Sequence, residues 1–434
     1  MDYKRTFYQI CQPISDDIYL CTNFNNDSHI LLSKEVYSLY INNKTGLLTL
    51  QNNYPDIFNR LLSNNFLIKK EVDEKSLVYL SRQNEIENRE LYHIVINPTL
   101  DCNLSCWYCY ENRVHQSSMD INTANAILKN LEIHFNHYPY SYLKISFFGG
   151  EPFLRPLIIR HIIKNANLFC HKNNIKLLLD FTTNGTLCSS STIDFLKDYN
   201  CTFQITLDGN KEQHNKIKYV KNRKIDTFEL TLNNIYRIEK NIKNSLVSVR
   251  INFDKDTLNN FDSILESLNK LDKSKTKVIL KRVWQVSSND VDKSTIFKSL
   301  EKLFTNNFIV DYYSQGGICF ADRVNQVLIN YDGNVFKCTT ISKFDKENAL
   351  GYLDRNTGII HWNKEKSKYI GKQNMAKICE NCPMLPSCGG FCQKKLESNP
   401  DQSCFLSASD ISMEEYALIQ FQISLIKEKY ENIF

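Results

Sequence analysis

Between residues 91 and 308, six short apolar, β-branched runs are each followed by a longer stretch with apolar residues at helical spacing. The strand-like runs are 91–97, 143–148, 175–183, 201–207, 245–253 and 277–286. The helix-like stretches are 120–137, 155–171, 190–198, 226–242, 258–271 and 292–307. Six successive βα units predict a parallel sheet with helices packed on it. Right-handed crossovers would curl that sheet into an open barrel. In such folds chemistry gathers at the C-terminal ends of the strands.

The flanks have a different texture. Residues 1–88 carry short strand-like runs at 18–20 and 29–32, helix-like runs at 35–41 and 54–62, and a closing strand at 66–68. This predicts a small winged-helix-like α+β module, with the charged stretch 69–90 as a linker. Residues 309–405 contain a hairpin, Gln326–Asn330 then Val335–Lys337, turning at Asp332-Gly333. Residues 406–434 end in a helix from about Met413 to Lys429, whose apolar stripe is explained by packing.

Composition narrows the class. At 434 residues, with 42% hydrophobic and 23% charged residues, the chain suits a globular protein with room for a barrel and smaller domains. A net charge of +5 and no basic run with interleaved aromatics give no reason to expect nucleic acid. The N-terminus lacks the apolar core of a signal peptide, and no run reaches the roughly 18 apolar residues of a membrane span. A cytoplasmic location without membrane contact is therefore expected. In that compartment fifteen cysteines point to metal rather than to disulfides.

Three of them, Cys102, Cys106 and Cys109, follow the first strand at a three-then-two spacing. One short loop can thus hold three irons of a [4Fe–4S] cube and leave the fourth open to bind a small molecule. A zinc knuckle with a distant fourth ligand is the other reading. The spacing resembles that of the radical SAM enzymes. The resemblance implies a partial (βα)6 barrel over 91–308 and S-adenosylmethionine chelated to the open iron. One electron then releases a 5′-deoxyadenosyl radical that abstracts hydrogen.

Other motifs support it. Gly149-Gly150-Glu151-Pro152 ends the second strand, and glycines allow close backbone approach to a ligand. By the resemblance these four residues contact the methionine amino group. Thr183 and Asn184, in Thr182-Thr183-Asn184-Gly185-Thr186, resemble the family's segment near ribose and methionine. A helix cap is the plainer reading. Tyr108 stands where the family's loop meets adenine. Leu207-Asp208-Gly209 recurs in the same subfamily, and His214 after it is read as a surface residue. Arg250, in the fifth strand, is a catalytic candidate: facing inward it would pair with a carboxylate, facing outward it would be solvated.

The second cysteine group runs Cys319, Gly333, Cys338, then Cys379, Cys382, Cys388, Cys392 and Cys404. It resembles the SPASM domain, which houses two auxiliary iron–sulfur clusters; a two-zinc module is the alternative. The family pattern assigns Cys379, Cys382, Cys388 and Cys404 to one cluster and Cys319, Cys338 and Cys392 to the other. No cysteine lies between Cys201 and Cys319. The inner cluster is thus left with an open iron, a non-cysteine ligand or a smaller core. Cys170 and Cys201, in a helix and a strand, are read as small hydrophobes; Cys11, Cys21 and Cys188 are given no metal role.

The resemblance implies an enzyme acting on peptides. The leading reading is a maturase of a ribosomally made precursor peptide, closing a carbon–carbon, ether or thioether crosslink. It would draw electrons from a flavodoxin or ferredoxin. Residues 1–88 loosely resemble a leader-peptide recognition element, or serve as a cap on the barrel. The alternatives are a sulfatase-maturating enzyme forming formylglycine and a metal-binding peptide scaffold without catalysis. Sulfatase-maturating relatives carry an aspartate base where this chain has Thr339; threonine is no base near neutral pH.

Overall fold

The structure is a computed structural model. It describes residues 2–42, 45–283, 291–312, 317–341, 343–372, 376–390, 404, 406–407 and 411–431. The chain divides into two compact units. One comprises Met1–Glu87, Ser314–Asp322 and Gly371–Phe434; the other comprises Asn88–Tyr313 and Arg323–Ile370.

The first unit begins with β1 (Tyr3–Arg5), then an antiparallel sheet of β2 (Gln9–Pro13), β3 (Ile18–Asn23) and β4 (Ser28–Ser33). Helices α1 (Lys34–Ile41), α2 (Thr45–Asn53) and α3 (Pro55–Ser63) follow, and β5 (Leu67–Lys69) pairs back on β1. Ser33 caps α1 through Val36 N–H. Leu32, Tyr40, Leu47, Leu50, Phe58, Leu61 and Phe66 form one buried cluster beneath these elements. The stretch expected to be a linker instead contains helix α4 (Glu74–Glu87). Val78, Arg82 and Ile86 recur every four residues on its buried side, and charge on the rest hid the pattern.

The second unit carries the parallel strands. They are β6 (Leu91–Ile96), β7 (Tyr142–Phe147), β8 (Lys176–Thr183), β9 (Asn200–Thr206), β10 (Asn244–Phe253) and β11 (Thr276–Arg282), joined in sequence order. A seventh, β12 (Ile309–Asp311), not foreseen, continues the sheet beside β11. The crossovers contain α5 (Ile121–His137), α6 (Pro156–Lys172), α7 (Ser190–Leu196), α8 (Lys211–Ile217), α9 (Thr227–Asn241), α10 (Lys255–Asn259), α11 (Phe261–Leu268) and α12 (Lys293–Thr305). At the other edge β13 (Gln326–Ile329) runs parallel to β6. The hairpin to β14 (Asn334–Phe336) then leads antiparallel into β15 (Gly351–Leu353) and β16 (Ile360–Trp362). The turn at Asp332-Gly333 is as expected, with Gly333 at φ 86°.

The strands alternate rather than being apolar throughout. In β8, Leu177, Leu179, Phe181 and Thr183 are buried while Leu178, Asp180 and Thr182 are partly open. One face stacks Phe147 on Phe181 and Phe181 on Phe203, with centroids 5.4 and 5.0 Å apart. The other face is polar: Lys144 lies 3.9 Å from Asp180, which accepts from Thr202 at 2.5 Å, and His93 Nε2 lies 2.8 Å from Ser146 Oγ. A parallel sheet covered on both faces would be apolar on both.

The first unit resumes with α13 (Lys377–Glu380), α14 (Leu385–Cys388) and the C-terminal α15 (Met413–Glu431). Among the described residues no helix is long and apolar enough to cross a membrane.

Candidate active site

The loop after β6 is closed on itself. Thr99 Oγ1 donates to Ser117 O at 2.7 Å, Leu100 N–H to Ser117 Oγ at 2.8 Å, and Met119 N–H to Pro98 O at 2.9 Å. Asp101 accepts from Cys102 N–H and Gln116 N–H at 2.9 and 3.0 Å. The Cys102, Cys106 and Cys109 thiols line one cavity. Tyr108, Gly149, Gly150, Thr183, Asn184 and Arg250 line the same cavity. Glu151 and Pro152 lie buried next to it in sequence and are not part of its wall.

The two glycines are required by the cysteine loop itself. Gly149 has φ 101°, and a Cβ there would stand 2.2 Å from Thr99 O; at Gly150 it would stand 2.2 Å from Asp101 O. The closeness is used: Gly150 N–H donates to Thr99 O at 3.2 Å and Glu151 N–H to Asp101 O at 2.8 Å. The Glu151 carboxylate accepts from Thr183 Oγ1, from Asn184 N–H at 2.8 Å and from Phe153 N–H at 3.0 Å. Asn184 Nδ2 in turn donates to Asn103 Oδ1 at 2.9 Å and reaches Cys102 Sγ at 3.8 Å. Strands β7 and β8 thus hold the loop from below.

A second set of bonds holds its far side. Asp208, wholly buried after β9, accepts from Tyr108 Oη and from Asn252 N–H and Nδ2 at 3.2 and 3.1 Å. Lys218 Nζ, 4% exposed, stands 3.7 Å from the same carboxylate. Ser105 N–H donates to Tyr219 O at 3.0 Å. His214, expected at the surface, is instead fully buried and accepts from Asp208 N–H through Nδ1 at 3.2 Å. Helix α8 turns it beneath the Asp208 loop, a placement one isolated histidine could not announce.

Burial pushes the Cys102 thiol up to about 11, and Glu151 adds to it. Burial also raises Cys106, against the pull of Lys218. Arg113 donates to Leu104 O; burial works against its charge, but Cys102 and Cys109 outweigh that and keep it protonated. Two half-buried thiols and the exposed Cys109, flanked by guanidinium and ammonium groups, suit a site whose sulfurs are deprotonated by iron. Among the described residues no three His, Cys, Asp or Glu side chains converge as ligands of a single ion do. The thiols share a cavity wall instead.

Sequence reasoning missed Asp208 as an anchor, and Lys218, Arg282 and Glu111 as cavity residues. Both Glu111 oxygens are enclosed without a hydrogen-bond partner, and burial lifts this carboxyl to about 8. Its place two residues after Cys109 was the available signal.

In the first unit Cys379, Cys382, Cys388 and Cys404 lie within reach of one another's charge, and burial raises Cys379 and Cys388 to about 11. Successive turns bring the first three together, through Cys382 N–H to Cys379 O at 3.2 Å and Cys388 N–H to Met384 O at 2.9 Å. Cys319 belongs to this unit and Cys338 to the other, while Cys392 lies outside the described residues. Cys170 and Cys201 are buried as expected. Cys11 and Cys21 correct the expectation of metal rather than disulfides. They are directly opposed on β2 and β3, with Cα atoms 4.1 Å apart, and are joined by a disulfide.

Comparison with known proteins agrees with this geometry. The Radical SAM superfamily matches residues 96–268. A cysteine-type anaerobic sulfatase-maturating enzyme of Clostridium novyi is 25% identical over 342 residues, 69% of this chain and 87% of the relative. The radical SAM cyclopropyl synthase TigE of Paramaledivibacter caminithermalis is 22% identical over 98% of this chain and 92% of its own. Among solved structures, native anSMEcpe with bound AdoMet and Cp18Cys peptide superposes with a TM-score of 0.58 at 18% identity. The match covers 79% of this chain and all of that one. At that identity the likeness concerns the fold. Residues 96–268 are therefore a radical SAM domain, and the chain that carries it is an enzyme.

Proposed function

We propose that this enzyme matures a ribosomally made precursor peptide by closing a side-chain crosslink. The observation that carries this reading is the gathering of Cys102, Cys106 and Cys109 in one cavity wall, beside the ends of β7, β8 and β10. A sulfatase-maturating enzyme among the relatives, and a similar fold solved with a peptide, support the choice of substrate.

In this reading the three thiolates hold a [4Fe–4S] cluster. Gly149, Gly150, Thr183, Asn184 and Tyr108 line the place of S-adenosylmethionine, with Glu151 and Pro152 bracing them. When bound, cluster and cofactor supply a 5′-deoxyadenosyl radical, which takes a hydrogen atom from a peptide carbon. Asp208 fixes Tyr108 and Asn252, so the cavity wall is set before substrate arrives, and rate comes from that orientation. Leu104, buried in the cavity wall, helps keep water from the site. Crosslink closure also releases a proton and one electron. Auxiliary clusters held by Cys379, Cys382, Cys388 and Cys404, and by Cys319, Cys338 and Cys392, would accept that electron. A flavodoxin or ferredoxin would supply the initiating one.

The N-terminal module is assigned to leader binding. Short strands β1 and β5 and helix α4 line a cleft of about 690 Å³ within their unit, a shape suited to an added peptide strand. The test is co-expression with each short peptide that the neighbouring reading frames encode, followed by mass spectrometry. A peptide lighter by two hydrogen atoms, with its fragments held together and no aldehyde captured by a hydrazide, is the expected product. An aldehyde instead would indicate formylglycine, and an unchanged peptide would reject the maturase reading.

A further inference from the structure

Resting on that peptide reading, we propose that Arg250 and Arg282 bind a carboxylate of the substrate, so that the enzyme acts beside an acidic residue of its peptide. Both residues line the cavity of the three thiols. They come from adjacent strands, β10 and β11, four and five places along the sheet from β6, which delivers the cysteine loop. Arg250 Nε donates to Asn252 Oδ1 at 2.9 Å, which orients the group while leaving its two terminal nitrogens available. The Arg282 side chain has no hydrogen bond or ion pair among the described residues.

The protein's own carboxylates do not neutralise this wall. Asp311, on β12, is held by Lys277 at 2.9 Å. Lys281, beside Arg282 in the chain, adds no fixed charge, because burial, assisted by Arg250 and Lys277 against Asp311, favours its neutral form. Glu111 lines the same cavity, but neither of its oxygens meets a donor. Half-buried cations without a counter-charge are costly, and an incoming anion removes that cost. The guanidinium fork fits a planar carboxylate through two parallel hydrogen bonds.

A carboxylate at this wall has two sources, the peptide and the cofactor's own amino-acid end. Fluorescence anisotropy on the iron-loaded full chain separates them. The probes are labelled decapeptides of alternating Asp and Gly, or Asn and Gly, with S-adenosylmethionine affinity measured in parallel. Wild type should prefer the Asp peptide by about tenfold or more, and R250Q/R282Q should lose that preference. Cofactor affinity should be unchanged, and R250K/R282K should restore part of the preference. Iron content and thermal midpoint confirm that each variant is folded.

Equal binding of both peptides to wild type overturns this inference and leaves the peptide reading intact. So does a preference that survives in R250Q/R282Q. A matching loss of cofactor affinity reassigns the arginines to the cofactor. If neither peptide binds the iron-loaded wild type, this inference and the peptide reading both fall.

Discussion

Glu151 has no exposed surface and accepts from Thr183, Asn184 and Phe153. Truncating it would leave those donors buried and unpaired. Glu151→Ala should therefore cost about 3 kcal/mol in urea unfolding, and Glu151→Gln clearly less, since it keeps one acceptor. Equal losses would show that volume, not bonding, matters there. Gly150 tests the other contact of the motif. Gly150→Ala drives a methyl into Asp101 O, beside Cys102. Iron bound through the Cys102 loop should fall sharply while secondary structure survives; unchanged iron would contradict the close fit. The residue types of this site were legible in the sequence, but some of their duties were not. Glycine before a cofactor loop suggests room for a ligand, whereas here the nearest neighbours are carbonyls of the chain. Asp208 stood in a noted motif, yet its partners Tyr108, Lys218 and Asn252 are far apart in sequence.

At the level of elements, all six parallel strands foreseen from their β-branched runs are present, displaced by a residue or two in their observed parts. Their alternation, visible in Lys176–Thr183, follows from a polar inner face. Helices with weak or charge-covered stripes, α4 and α8, escaped notice because charge masks the period. The predicted 258–271 helix is two, α10 and α11, with Asp254 capping the first through Thr257 N–H at 2.8 Å. The inner face also gives a pH prediction. Burial, assisted by Lys144, Arg323 and Lys337, pulls His93 down to about 3. The unfolded side chain titrates near 6.5. The folded state thus binds fewer protons, so this contribution is full above about pH 6.5 and is lost as pH falls toward 3. Urea midpoints of wild type and His93→Gln should converge between pH 7.5 and 5. A gap that is constant with pH would show that His93 does not titrate on unfolding.

For the whole molecule, the cysteines divide by unit. Cys102, Cys106 and Cys109 belong with the parallel sheet, and Cys379, Cys382, Cys388 and Cys404 with the terminal unit. If each group holds its own cluster, Cys382→Ala should lower iron by about four per chain and spare the Cys102 site. Cys106→Ala should lower it by a similar amount while sparing the terminal set; loss of all iron in either variant would contradict independent sites. The sequence spacing made both groups legible, because loop ligands are local. It could not show that β13 to β16 extend the same sheet as β6, since that pairing joins residues more than two hundred positions apart. The most direct test of the account is anaerobic reconstitution with iron and sulfide, then addition of S-adenosylmethionine and dithionite and chromatography for 5′-deoxyadenosine. The nucleoside should form with the wild-type chain and vanish in Cys102→Ala/Cys106→Ala/Cys109→Ala. Its absence from iron-replete wild type, or its persistence in the triple variant, would contradict the account.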